Sequence, residues 1–134
     1  AGFIGSPQMN FIDAEIQKED GKFYPVIDKN KVAIPKEKWE ALTPYVSKTV
    51  VMGLRPEDFL TEDKRTKDNT LDVEMNFSEL LGADYNLYMY LGETRITVKI
   101  PATGTQPEKG PYQIGANMDK AHFFDPDSEN VICH

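Results

Sequence analysis

Strict period-two alternation over Leu71-Asp72-Val73-Glu74-Met75-Asn76-Phe77-Ser78 constrains this chain more than any other feature. Successive strand side chains point to opposite faces, so Leu71, Val73, Met75 and Phe77 are expected on one buried face, with the polar residues on the other. Residues 86–91 and 94–100 repeat the pattern, the second burying Ile96, Val98 and Ile100, and Gly92-Glu93 between them suits a two-residue hairpin opened by glycine. Residues 11–17 and 22–27 flank Asp20-Gly21, a dipeptide that takes the positive φ values of a hairpin turn. Residues 50–55 read as a more fully buried strand. Helical character is confined to residues 36–42, where Pro35 suits a first helical position and Pro44 is expected to stop the helix, with Trp39 and Leu42 sharing its buried face. Several short strands and one short helix predict an all-β fold of OB-like barrel form, or two such barrels sharing strands.

A chain of 134 residues fits one domain and buries roughly two thirds of the surface its unfolded form exposes. The longest near-continuous apolar stretch, residues 50–54, is far too short to cross a bilayer as a helix. Ala1-Gly2-Phe3-Ile4 lacks the basic region and apolar core of a secretion signal, and Ala1 in place of an initiating Met is expected of a piece of a longer protein. With a single cysteine, Cys133, no internal disulfide forms, which suits a reducing cytoplasm. The net charge of −7 argues against a nucleic-acid partner, because phosphate binding depends on clustered Lys and Arg. The basic residues are interspersed with acids, as in Lys36-Glu37-Lys38 and Glu62-Asp63-Lys64-Arg65.

No G-x-x-x-x-G-K-[ST] loop is present: Ser47-Lys48-Thr49 has no preceding glycine, and Lys109 is followed by Gly110. Without such a loop these residues do not hydrolyse a nucleotide by the mechanism that cradles phosphates on backbone N–H groups. His122 beside Phe123 and Phe124 reads as a strand residue rather than a catalytic base, and no nucleophile pairs with it in sequence. Asp125-Pro126-Asp127-Ser128-Glu129 opens like a calcium loop but lacks its turn glycine, and reads as a solvated turn. Cys133-His134 supplies only two potential metal ligands. Tyr88 and Tyr90 share a strand face and read as packing or interface residues; with Tyr85, Phe123 and Phe124 they lack the basic groove of a nucleic-acid platform. No catalytic, cofactor-binding or metal residues are expected. Arg55-Pro56-Glu57 reads as a structural junction, with Arg55 ending a strand, Pro56 at a first helical position and Glu57 and Asp58 in the first turn.

Two runs carry a family resemblance: Gly2-Phe3-Ile4-Gly5-Ser6-Pro7-Gln8-Met9-Asn10-Phe11, and Met52-Gly53-Leu54-Arg55-Pro56-Glu57-Asp58. Glu79-Leu80-Leu81-Gly82 and Ala121-His122-Phe123-Phe124-Asp125-Pro126 extend it over nearly the whole chain. Together they resemble the C-terminal regulatory (transport-associated OB) region of ATP-binding subunits in maltose and multiple-sugar ABC importers. The resemblance implies one regulatory region of two interlocked OB-like halves, about residues 1–60 and 70–134, divided by the wholly polar residues 61–69. It implies a regulatory and dimerisation role, with no cofactor here and ATP and magnesium handled by an ATPase domain absent from this sequence. Implied partners are that ATPase domain, a second copy of the chain, sugar permease subunits and a regulatory phosphotransferase protein, at the cytoplasmic face of the cell membrane. Phe3, Gly5, Ser6, Pro7, Met9 and Asn10 become candidate interdomain contacts, although Gly5-Ser6-Pro7 equally suits a simple turn before the first strand. Competing readings are a molybdate-type small-anion OB module and a hydrolase whose site assembles only in space.

Overall fold

A computed structural model describes residues 9–134. The strands are β1 (Asn10–Glu19), β2 (Lys22–Ile27), β3 (Asn30–Lys31), β4 (Thr49–Leu54), β5 (Phe59–Leu60), β6 (Thr70–Leu81), β7 (Asp84–Leu91), β8 (Thr94–Pro101), β9 (Gly110–Ala116), β10 (His122–Phe124) and β11 (Val131–Cys133). The helix α1 (Trp39–Leu42) is a single turn between 3-10 turns at Lys36–Lys38 and Thr43–Tyr45. The expected all-β, OB-like architecture with one short helix is what the chain adopts.

The hairpins form where the dipeptides place them. Asp20 and Gly21 take φ of 51° and 78°, the pair of positive values whose twist matches that of the β1 and β2 strands they join. Gly92 takes φ of 62° in the β7–β8 turn. Antiparallel pairing then builds two sheets, ordered β11-β10-β4-β1-β2-β3 and β5-β9-β6-β7-β8. Two connections cross between them. Strand β5 leaves β4 behind and pairs with β9 of the second sheet, while β10 returns from the second sheet to pair with β4 of the first. One contiguous core results, to which Ile12, Ile16, Met52 and Leu54 contribute from the first sheet, Leu71, Leu87 and Val98 from the second, and Phe123 from β10.

The structure corrects two expectations. Leu71, Val73 and Met75 are buried as the alternation predicts, but Phe77 is 51% exposed. Met75 pairs with Met89 and Phe77 with Tyr88, so Asn76 is an extra residue in β6, and this bulge turns the following side chains over. Phe77 then stacks on Tyr88 on the outer face, ring centroids 4.6 Å apart. The helical segment is also more broken than expected. Pro35 is the extended cap before the first 3-10 turn rather than its first residue, and Pro44 lies within the second turn rather than stopping the course. Leu42 is fully buried. Trp39 is partly buried, stacks on Phe23 at 5.6 Å and donates its indole N–H to the Ile34 carbonyl at 2.7 Å.

Candidate functional site

The described residues of four sequence runs that are far apart in the chain come near one another. β1, β4 and β10 are neighbours, with Phe11 opposite Gly53 and His122 opposite the same glycine from the other edge. The Gly53 position is tight: a Cβ there would stand 3.0 Å from the Phe124 ring and would overlap the Met9 sulfur. Glycine at 53 therefore lets Met9 and Phe124 close over the strand, and Phe124 also meets Phe11 edge to face at 5.9 Å. The backbone stays extended at Arg55, and Pro56 opens a 3-10 turn through Asp58 that carries Glu57 outward.

A groove of about 700 Å³ lies beside this junction. Met9, Asn10, Pro56 and Glu57 form one wall, and Leu81, at the tip of the β6–β7 hairpin, approaches from the other with Asp84, Thr97 and Lys99. Lys99 pairs with Asp84 at 3.6 Å, and the groove is lined by this one cation and two carboxylates, Asp84 and Glu57. Asp58, behind Glu57, has its pKa raised by burial and then by the Glu57 charge, against the lowering influence of Lys120, Arg55 and His122. Phe3, Gly5, Ser6 and Pro7 lie outside the described residues.

Asn10, at the groove's edge, is buried and spends its amide within the fold. Its Nδ2 donates to the carbonyls of Leu54 (3.1 Å) and Thr97 (2.8 Å), and its Oδ1 accepts the Thr97 N–H at 2.9 Å. The side chain thus pairs with β8 as a neighbouring strand would, linking the two sheets. Asn30 repeats the device, donating to the Asp72 carbonyl at 3.2 Å and accepting its N–H at 2.8 Å. Sequence reasoning missed Asn30, because its partner on β6 lies 42 residues away and nothing local marks it.

The remaining candidates sit elsewhere. Asp125 caps its own turn by accepting the N–H groups of Asp127 and Ser128, both at 2.9 Å, and the Tyr45 hydroxyl at 2.8 Å. The Ser128 N–H leads the contacts that hold its carboxyl below the usual range. His122 lies on β10 with its Nδ1 2.9 Å from that of His134. Cys133 is half-buried and its thiol pKa is pushed up by burial. Tyr88 and Tyr90 remain on the outer face of β7 while Tyr85 is buried, and the Tyr88 hydroxyl donates to Glu79 at 2.5 Å. Among the described residues, no group of three or more His, Cys, Asp or Glu gathers as a metal site.

The MalK OB fold domain family matches residues 5–59, the span that contains Met9, Asn10, Gly53, Pro56 and Glu57. Residues 5–59 carry a MalK-type OB domain. Its relatives include an ABC transporter ATP-binding protein of Escherichia coli, YcjV, 37% identical over 99% of this chain and 36% of that protein. The multiple sugar-binding transport ATP-binding protein MsmK of Streptococcus mutans is 34% identical over 98% of this chain and 36% of its own length. The oligosaccharides import ATP-binding protein MsmX of Bacillus subtilis is 30% identical over 96% and 35%. The chain spans about a third of the length of the curated relatives it matches. Among solved structures, the cytoplasmic molybdate-binding protein ModG, crystallised with molybdate bound, aligns with a TM-score of 0.65 over 92% of this chain and 99% of that one. At 14% identity the likeness to ModG is one of fold.

Proposed function

We propose that this MalK-type OB domain is the regulatory and dimerisation region of an ATP-binding subunit that energises sugar import. The supporting observation is the groove in which Met9, Asn10, Pro56, Glu57 and Leu81 meet, since it gathers three of the four runs that resemble importer subunits into one surface. On this reading the groove is the junction with an ATPase domain, which binds ATP and magnesium. The OB regions of two subunits hold each other while the ATPase domains open and close. Permease subunits and a regulatory phosphotransferase protein are the further partners, at the cytoplasmic face of the membrane. The OB domain itself turns over no nucleotide.

The experiment is charge reversal at the groove in the full-length parent, Glu57→Lys, with transport and ATPase activity measured together. Glu57 is not in the core, so the fold should persist while ATP hydrolysis separates from transport or loses its regulation. Unchanged coupling in a correctly folded variant would count against the groove as the junction. Sedimentation equilibrium over a wide concentration range tests the dimer, with a strict monomer in the full-length parent as the contrary result.

The fold likeness to ModG favours a second reading, a small-anion site. Two carboxylates and one lysine in the groove make a poor oxyanion cradle. Calorimetric binding of molybdate would overturn that judgement.

A further inference from the structure

Away from the groove, β10 and the residue after β11 bring the chain's only two histidines together. The Nδ1 atoms of His122 and His134 are 2.9 Å apart, with ring planes at 81° and centroids separated by 5.0 Å. A neutral imidazole has one N–H and one bare nitrogen, so two Nδ1 atoms facing at this distance hold at most one proton between them. When both rings carry their proton on Nε2, the two Nδ1 lone pairs converge, and a metal ion can take the place of the shared proton. Metal–nitrogen bonds of about 2.0–2.1 Å to two atoms this far apart subtend about 90° at the metal. That angle matches two adjacent positions of a tetragonal or octahedral ion and is tighter than tetrahedral zinc prefers.

We propose that His122 and His134 form a two-imidazole site for a divalent transition-metal ion of the Cu²⁺ or Ni²⁺ type, completed by water. Surrounding charge moderates the affinity. Asp58 favours a cation beside His122, while Arg55 and Lys38 oppose one. Lys38 is buried with its ammonium donating to the main-chain oxygen of His134, so it stays beside the site. The bound ion would tie residue 134 to β10 and hold β11 on the edge of the first sheet.

The chain's histidine count makes the test clean. Untagged protein, His122→Gln and His134→Gln are titrated with NiCl₂ and CuSO₄ by calorimetry in a non-chelating buffer. One equivalent is expected to bind the parent protein, raise its Tm and lose at least tenfold in affinity in either variant. Paramagnetic broadening of amide signals should be confined to β10, β11 and the 3-10 turn that carries Lys38. Absence of saturable binding, two independent equivalents, or one equivalent that survives in either variant overturns the site. Broadening centred elsewhere overturns it as well, and does not depend on the variants folding.

Discussion

Asn10 and Asn30 each put one amide where a neighbouring strand's peptide would otherwise stand, so each satisfies a partner N–H and carbonyl inside the molecule. Replacing either with alanine strands those groups, and each substitution should cost about 1–3 kcal/mol in denaturant unfolding. Asn10→Asp should be worse at neutral pH than Asn10→Ala, since a carboxylate would face the Leu54 and Thr97 carbonyls with no donor to offer. An unchanged midpoint for Asn10→Asp would refute the pairing. At Gly53, a methyl group must displace Met9 and press on Phe124, so Gly53→Ala is expected to lose about 1–3 kcal/mol. Met9→Ala in the same background should recover part of that loss, which a double-mutant cycle reads directly. Residues of this kind were only partly legible in advance. Asn10 stood out as part of a recognisable run, and the side chain's use inside the fold was not readable from it. Asn30 and the buried Lys38 carry no local signature, because each is defined by a partner from a distant segment.

Turns were the most legible elements, since Asp20-Gly21 and Gly92-Glu93 need particular φ values that few residues supply. The two glycines nonetheless differ in surroundings. Nothing lies within 4 Å of a Cβ at Gly21, whereas one at Gly92 would meet the Asp28 side chain at 3.0 Å. Gly21→Ala should therefore cost about 1 kcal/mol through backbone strain alone, and Gly92→Ala measurably more. Equal losses on thermal unfolding would contradict the crowding at Asp28. The β6 bulge was not legible, because a period-two pattern reads the same on either side of an inserted residue. Asn76-Phe77 continues the alternation in sequence while the pairing with β7 breaks it. The helix is shorter than expected for another reason: the segment between its two prolines is too short to propagate a helix, so 3-10 turns flank a single α-helical turn.

The two sheets share a core, and Phe123 from β10 is among its largest fully buried side chains. A chain ending at residue 117 would lose Phe123 and bare the β4 edge, and should fail to show a cooperative unfolding transition. A cooperative transition in that truncation would mean that the core is not continuous. Acid should loosen the same region. The folded Asp125 carboxyl sits below the ordinary aspartate pKa of 3.8 because it accepts the Ser128 N–H, the Tyr45 hydroxyl and the Asp127 N–H. Its contribution is complete above pH values near 3.8 and is lost as pH falls through the lower folded value. The stability gap between the protein and Asp125→Ala should accordingly narrow only on strong acidification.

The return of β10 to pair with β4 also orders events in time. A ribosome releases the first sheet's early strands long before residues 122–124 emerge, so β4 waits with an unpaired edge and a vacancy where Phe123 belongs. Folding of this sheet is therefore completed only after those residues have left the exit tunnel. Until then the nascent segment offers a sticky border that chaperones, or a neighbouring copy on the same messenger RNA, are positioned to occupy.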